Sequence, residues 1–319
     1  MTNAEDEGMK AGANAPGAEK SLDRLATEQL RPGLDDLDLR PVADIVRILV
    51  DSQRVAQQAV ETAVPQLARV AEAVSARLAV GGRLIYVGAG TSGRLAVLDA
   101  AECVPTFNTA PGQVMALLAG GETAFVNAIE GAEDDAAAGA ADLHRNGLSK
   151  ADAVIGITAS GRTPYVVGAV SHAREAGAYT AAIVNNIHSR LAEAAQDAVE
   201  LETGPEIIAG STRLGAGTAQ KIALNTLSTA VMVRLGKTYG PWMIDMRATN
   251  AKLRRRAVRI VCGVTGVDES EASRALAAAG GQVKPAVVAL LGGWDAIEAR
   301  RRLDAAGGRV RDALAATGE

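Results

Sequence analysis

Residues 83–106 read Arg-Leu-Ile-Tyr-Val-Gly-Ala-Gly-Thr-Ser-Gly-Arg-Leu-Ala-Val-Leu-Asp-Ala-Ala-Glu-Cys-Val-Pro-Thr. The run 83–87 is short, apolar and rich in strand formers. Three glycines follow, at 88, 90 and 93, and they permit a turn that larger side chains would hinder. From Arg94 to Glu102 the apolar residues Leu95, Val97, Leu98 and Ala101 read as a helix. Strand, glycine loop and helix in that order aim backbone N–H groups and a helix N-terminus at an anion. Thr91 and Ser92 place two hydroxyls in the expected loop. A carboxylate, Glu102, stands at the expected end of the helix. The stretch therefore reads as a phosphate anchor with an acid–base group nearby.

The same alternation continues outward. Strands are expected at 84–87, 114–118, 153–157 and 179–184, with a fifth at 198–202. Helices are expected at 94–102, 122–145 and 164–176. Spacings of roughly 25 to 40 residues allow right-handed crossovers between parallel strands. The strands are apolar on both faces, as in a parallel sheet covered by helices. The expected fold class is α/β, a doubly wound parallel sheet with ligands at the carboxyl ends of its strands. Before it, apolar positions at helical spacing over 42–80 predict two helices broken near Pro65. After it, a long helix is expected at 217–235. Beyond 245 the pattern is purely helical, with helices at 253–262, 269–278, 283–291 and 294–306, separated by Gly pairs. Residues 1–20 lack periodicity and read as a disordered tail.

The chain has 319 residues, is 48% hydrophobic and carries a net charge of −4. Aromatics make up only 3%, so the core must be aliphatic. The acidic balance argues against a general nucleic-acid binder. The run Arg254-Arg255-Arg256 reads as a solvated or partner-facing helix face. No run reaches the roughly 18 apolar residues of a membrane span, and the polar N-terminus shows no signal peptide. Two distant cysteines, Cys103 and Cys262, fit the reducing cytosol. Cys103 reads as a small buried side chain, with nucleophile as the alternative. His144, His172 and His188 form no metal-ligand spacing, and no metal site is expected.

Two loops carry the chemistry. The first, 88–93, matches the dinucleotide fingerprint G-x-G-x-x-G, but the acidic residue wanted at the end of the next strand is missing. The second, Thr158-Ala159-Ser160-Gly161-Arg162-Thr163-Pro164, again ends a strand in hydroxyls and glycine, with Pro164 placed to start a helix. Two hydroxyl-rich, lysine-free loops suit one phosphomonoester better than a dinucleotide. Carboxylates cluster at Glu130-Gly131-Ala132-Glu133-Asp134-Asp135. On a helix Glu130, Glu133 and Asp134 would share a face. Spacing does not choose among them, and a solvated acidic face is the other reading.

Five motifs occur in order: Gly-Ala-Gly-Thr-Ser-Gly-Arg at 88–94, Ala-Glu-Cys-x-Pro-Thr at 101–106, Glu-Gly-Ala-Glu-Asp at 130–134, Ala-Ser-Gly-Arg-Thr-Pro-Tyr at 159–165 and Gly-Ser-Thr-Arg-Leu-x-Ala-Gly-Thr-Ala-Gln-Lys at 210–221. In these the chain resembles the N-acetylmuramic acid 6-phosphate etherases of bacterial cell-wall recycling, over about residues 21–316. The resemblance implies a sugar isomerase (SIS) fold, flavodoxin-like, in a cytoplasmic homodimer. It divides the chain into the tail 1–20, an SIS sugar-phosphate-binding domain with N-terminal helices over 21–245 and a helical region over 246–319.

It also implies cleavage of the D-lactyl ether at C3 by elimination and water addition, giving N-acetylglucosamine 6-phosphate and D-lactate. General acid–base groups suffice for that, so no cofactor is expected. Glu102 resembles the acid that protonates departing lactate, and Glu133 the base at C2. Thr91, Ser92, Ser160 and Thr163, with amides of Gly93 and Gly161, are matched to the 6-phosphate or sugar. Gly90, Thr158 and Arg162 complete that set. The expected partner is a sugar phosphate, without nucleic acid or membrane. The chain departs from the family's usual residues at Val104, at Gly215 where a lysine is usual, and around Asn185, where Val184 and Asn186 replace Cys and Pro. A non-catalytic sugar-phosphate sensor, like the glucokinase regulatory protein of the same fold, and an aldose–ketose sugar-phosphate isomerase are the alternatives.

Overall fold

The computed structural model describes residues 24–246 and 251–315. The disordered tail expected at 1–20 lies outside the described residues. Three helices lead in: α1 Val42–Ser52, α2 Arg54–Thr62 and α3 Val64–Ala79. The break near Pro65 is present, because Pro65 sits in the first turn of α3, where its missing N–H is harmless. A second break at Gln53 makes three helices where periodicity predicts two. The apolar spacing runs through that break, so it carries no sign of it.

The sheet follows as β1 Leu84–Gly88, β2 Val114–Leu118, β3 Ala153–Thr158, β4 Tyr179–Val184 and β5 Asp197–Glu200. Its order is β2-β1-β3-β4-β5 and every pairing is parallel. This is the doubly wound, flavodoxin-like topology, with the switch point between β1 and β3. The connecting helices are α4 Gly90–Phe107, α5 Ala136–Arg145, α6 Pro164–Glu175 and the short α7 Arg190–Ala194; α8 Gly215–Arg234 closes the domain. Period-two alternation divides the strand side chains between two cores. Leu84, Tyr86, Ile155 and Ile183 face α3, α4 and α8. Ile85, Val87, Val154 and Val184 face α5, α6 and α7.

Two further expectations are corrected. α4 is not confined to 94–102. It starts at Gly90, so Thr91 and Ser92 lie in its first turn rather than in a loop. It then runs past Glu102 and through Pro105 to Phe107, ending on Asn108 in the left-handed conformation (φ 50°). Pro105 lies in the last turn, where losing one helix hydrogen bond is tolerable. Nor is 122–145 one helix. It consists of 3-10 turns at Glu122–Phe125 and Ala132–Asp134, and then α5. Gly120, Gly121 and Gly131 take positive φ and break any helix before Asp135 caps α5. Glu130, Glu133 and Asp134 therefore share no α-helical face.

Beyond the sheet comes an unexpected hairpin, β6 Thr238–Tyr239 with β7 Trp242–Met243. Five helices follow: α9 Ala251–Thr265, α10 Glu269–Ala278, α11 Val283–Gly292, α12 Ala296–Ala305 and α13 Val310–Ala315. They enclose their own apolar core, which includes Val261, Val287 and Leu303 together with Ile244 and Met246.

Candidate functional site

The helices after β1 and β3 open at the carboxyl ends of adjacent strands, since Gly88 pairs with Ile157. Neither start is capped by a side chain: Ala89 precedes α4, and the Thr163 hydroxyl makes no cap bond to α6. The crossover helices α5 and α7 are capped by Asp135 and Ser189. Two helix N-termini without side-chain caps therefore open beside the switch point, where their partial positive charge favours an anion.

The hydroxyls expected from sequence gather there. Thr158 Oγ1 lies 2.8 Å from Thr163 Oγ1 and 3.3 Å from Ser160 Oγ. Ser160 Oγ accepts from the Arg162 amide at 3.2 Å, which makes the turn compact. Gly161 has φ 71°, and a Cβ there would stand 2.2 Å from the Ser189 side chain. On the other side Ser92 is buried and Thr91 half-buried in the first turn of α4. Gly93 has the packing role: a Cβ on it would meet Leu118 Cδ1 at 2.3 Å and the Gly88 carbonyl carbon at 2.9 Å. Thr91 borders α8 as well, its methyl 3.4 Å from where a Cβ on Gly217 would sit.

Of the two carboxylates, one borders this region. A cleft of about 210 Å³ is lined by Gly90, Arg94, Asn127, Glu130 and Glu133, among others. Glu133 thus shares a cavity with the start of α4. Glu102 does not line it and stands exposed on α4 beside exposed Ala101 and Pro105. Its neighbour Cys103 is buried, and burial pushes its thiol up to about 12, so it is a packing residue with no thiolate to offer at neutral pH.

The structure adds residues that sequence reasoning did not single out. Buried Glu206 accepts the amides of Gly215 and Ala216 at 2.9 Å each, so a protein carboxylate already occupies the start of α8. Asn186 accepts the Ala26 amide at 2.8 Å and donates to Thr27 Oγ1 and the Ala159 carbonyl, lashing the N-terminal segment over the 158–163 turn. Asn185 Oδ1 accepts from Gln220 Nε2 at 2.9 Å. Arg94, inside the first motif, donates to backbone carbonyls of Ala124, Phe125 and Asn127. These are contacts between residues far apart in sequence. The sequence signals were that Arg94 and Gln220 stand inside the quoted motifs and that Asn185 and Asn186 fall where the chain departs from the family's usual residues.

Comparison with known proteins agrees with the geometry. The model for the glucokinase regulatory protein N-terminal SIS domain matches residues 66–174, and that for the SIS domain matches 134–230. An N-acetylmuramic acid 6-phosphate etherase of Streptomyces coelicolor is 51% identical over 89% of this chain and 91% of its own length. One of Deinococcus radiodurans is 53% identical over 84% and 88%, and one of Pectobacterium atrosepticum 48% over 86% and 91%. With such identity extending over both the sheet and the C-terminal helices, the chain belongs to the N-acetylmuramic acid 6-phosphate etherase family.

Proposed function

We propose that this protein is a carbon–oxygen lyase that cleaves the D-lactyl ether of N-acetylmuramic acid 6-phosphate. The observation that carries the reading is the shared cleft of Gly90 and Glu133 at an uncapped helix start, within a chain of this family. The 6-phosphate sits between the starts of α4 and α6, on hydroxyls of Thr91, Ser92, Ser160 and Thr163 and the amide of Gly161; the Gly93 amide, also expected here, donates instead to the Ala89 carbonyl at 3.1 Å. Thr158 orients the hydroxyls of Ser160 and Thr163, and Gly90 and Arg162 frame the anion.

Glu133 removes the C2 proton of the ring-opened sugar, which is acidic because it lies α to the C1 aldehyde. The C–H electron pair becomes the C2–C3 double bond. The C3–O pair leaves on the lactyl oxygen, which takes a proton from Glu102. Water then adds at C3, losing a proton to the Glu102 carboxylate, and C2 is reprotonated. Each general acid–base group contributes about 10²–10⁴-fold.

Thr91 and Glu102 are eleven residues apart on α4, so they share a helix face but are separated by roughly 16 Å along the axis. That exceeds the reach of one hexose phosphate anchored at Thr91. Glu102 also lies in an exposed apolar stripe with Leu98, Ala101 and Pro105. The functional unit is therefore a homodimer in which Glu102 of one protomer serves the sugar held by the other; a reducing, cytoplasmic setting fits its two free cysteines, Cys103 and Cys262.

The test is D-lactate release from N-acetylmuramic acid 6-phosphate. Glu102→Gln and Glu133→Gln should each abolish it while sugar-phosphate binding persists. Co-refolding the two inactive variants should restore activity, because each mixed dimer then has one complete site. Failure to restore activity would place both carboxylates in one protomer. Wild-type protein that binds the sugar phosphate without releasing lactate would point to the sensor or isomerase readings instead.

A further inference from the structure

The segment between β2 and α5 presents a physical problem. Residues 120–135 hold only two single 3-10 turns, so most of their carbonyls have no helix or sheet partner. Most of the segment is exposed to water; Ala124 is its one buried residue and Ala132 is half-buried. One side chain nevertheless gathers three of its carbonyls. Arg94 Nε donates to the Phe125 carbonyl at 2.9 Å, and its Nη2 donates to Ala124 at 2.9 Å and Asn127 at 3.1 Å. All three acceptors belong to backbone 30 to 33 residues further along. Five residues beyond Asn127, Ala132 packs against the α5–α6 side of the core. Gly131, with φ 72°, starts the 3-10 turn that contains Glu133. The strip carrying Glu133 is thus fixed at two points, the guanidinium fork and the Ala132 contact, and Arg94 and Glu133 both line the cleft.

We propose that Arg94 is a positioning residue for the reaction: its guanidinium holds the 124–127 backbone so that Glu133 faces the sugar bound at the start of α4. The proposal rests on the reading of Glu133 as the C2 base. It explains why arginine is used. A planar fork with several fixed donors can serve three carbonyls together, whereas a lysine ammonium is a single point on a flexible stem. It also sets Arg94 apart from a phosphate ligand, since its donors go to protein backbone. Because α4 carries Thr91 and Ser92 one turn before Arg94, the same rod sets the anchor of the sugar and the position of the base.

The experiment compares Arg94→Lys, Arg94→Ala and Glu133→Gln in the full chain, measuring kcat and KM separately together with hydrogen exchange at the backbone amides. Arg94→Lys should lower kcat on the order of 10–100-fold, the size expected of a misplaced catalytic group. KM should stay near wild type, and amides of 122–134 should exchange faster while those of 158–163 keep their protection. Should Arg94→Ala not fold, Arg94→Lys alone decides. A raised KM with kcat intact would make Arg94 a substrate ligand and overturn the proposal. So would a lower melting temperature with both constants unchanged, the mark of a purely structural role. Full turnover in Glu133→Gln would instead remove the assignment of the base. Inactive Glu133→Gln beside normal Arg94→Lys would sink the clamp alone.

Discussion

At the scale of the residue, the phosphate turn rests on small groups in enforced positions. Gly161 takes φ 71° against the Ser189 side chain. Gly161→Ala adds a left-handed strain of roughly 1–2 kcal/mol, and its methyl would overlap Ser189. Its thermal midpoint should fall and its affinity for the sugar phosphate with it. Ser160→Ala removes one hydroxyl without strain and should weaken phosphate binding by about 0.5–3 kcal/mol. Calorimetric titration of both variants with a sugar 6-phosphate checks the cradle, and unchanged affinity in both would remove it. The hydroxyls of this turn were legible because a strand end followed by Ser, Gly and Pro is local chemistry. The choice of Glu133 over Glu130 and Asp134 was not. It came from family resemblance, and the helix that would have grouped them does not form.

At the scale of the element, β1 and β3 are joined at their amino ends, opposite the site. Asp152 accepts from the Arg83 amide and from its Nε and Nη2 at 2.7–3.1 Å, and from the Ser149 amide at 2.9 Å. Burial by itself raises the Asp152 pKa, but these donors and the guanidinium outweigh it, and the net direction is downward. A carboxylate depressed on folding stabilises the protein above its unfolded pKa, and that contribution is lost as pH falls through the folded pKa. Unfolding free energy should therefore decline with acidification below the ordinary carboxylate range. Asp152→Asn should flatten that decline and cost about 1–3 kcal/mol at neutral pH. Urea midpoints measured across acid pH test this, and an Asp152→Asn curve parallel to wild type would refute it. α4 shows the same dependence on distant partners: buried Asp99 accepts from Tyr86, Asn225 and Ser228, tying strand and helices together.

At the scale of the whole molecule, two apolar faces lack partners among the described residues. Val42, Val46 and Val50 stand at i, i+4 and i+8 on α1, each more than half exposed, and α1 buries no residue. Leu98, Ala101 and Pro105 are exposed on the side of α4 that carries Glu102. Both faces fit the proposed homodimer. Leu98→Glu should shift the sedimentation of the protein towards a monomer, and turnover should fall in step with the dimer population while circular dichroism is unchanged. An active Leu98→Glu monomer would contradict the shared site. Packing also bears on domain organisation. Ile244, Met246, Tyr239 and Trp242 join the core of the C-terminal helices, so we propose that this unit begins at the β6–β7 hairpin, ahead of residue 246.

The sequence by itself determined the parallel α/β sheet, the positions of its strands within a few residues, the glycine- and hydroxyl-bearing segments that follow β1 and β3, and the family. Those features arise from apolar periodicity, glycine and proline chemistry and contiguous motifs, all of which act over a few neighbouring residues. Only the tertiary structure decided that Thr91 and Ser92 open a helix, that Glu102 lies exposed eleven residues beyond Thr91 along it, and that Glu133 sits on an irregular strip bordering the cleft at Gly90. Each of these depends on side chains such as Arg94 and Leu118 meeting backbone distant in sequence. Local periodicity holds no record of such contacts, because they exist only once the sheet has brought the strand ends together.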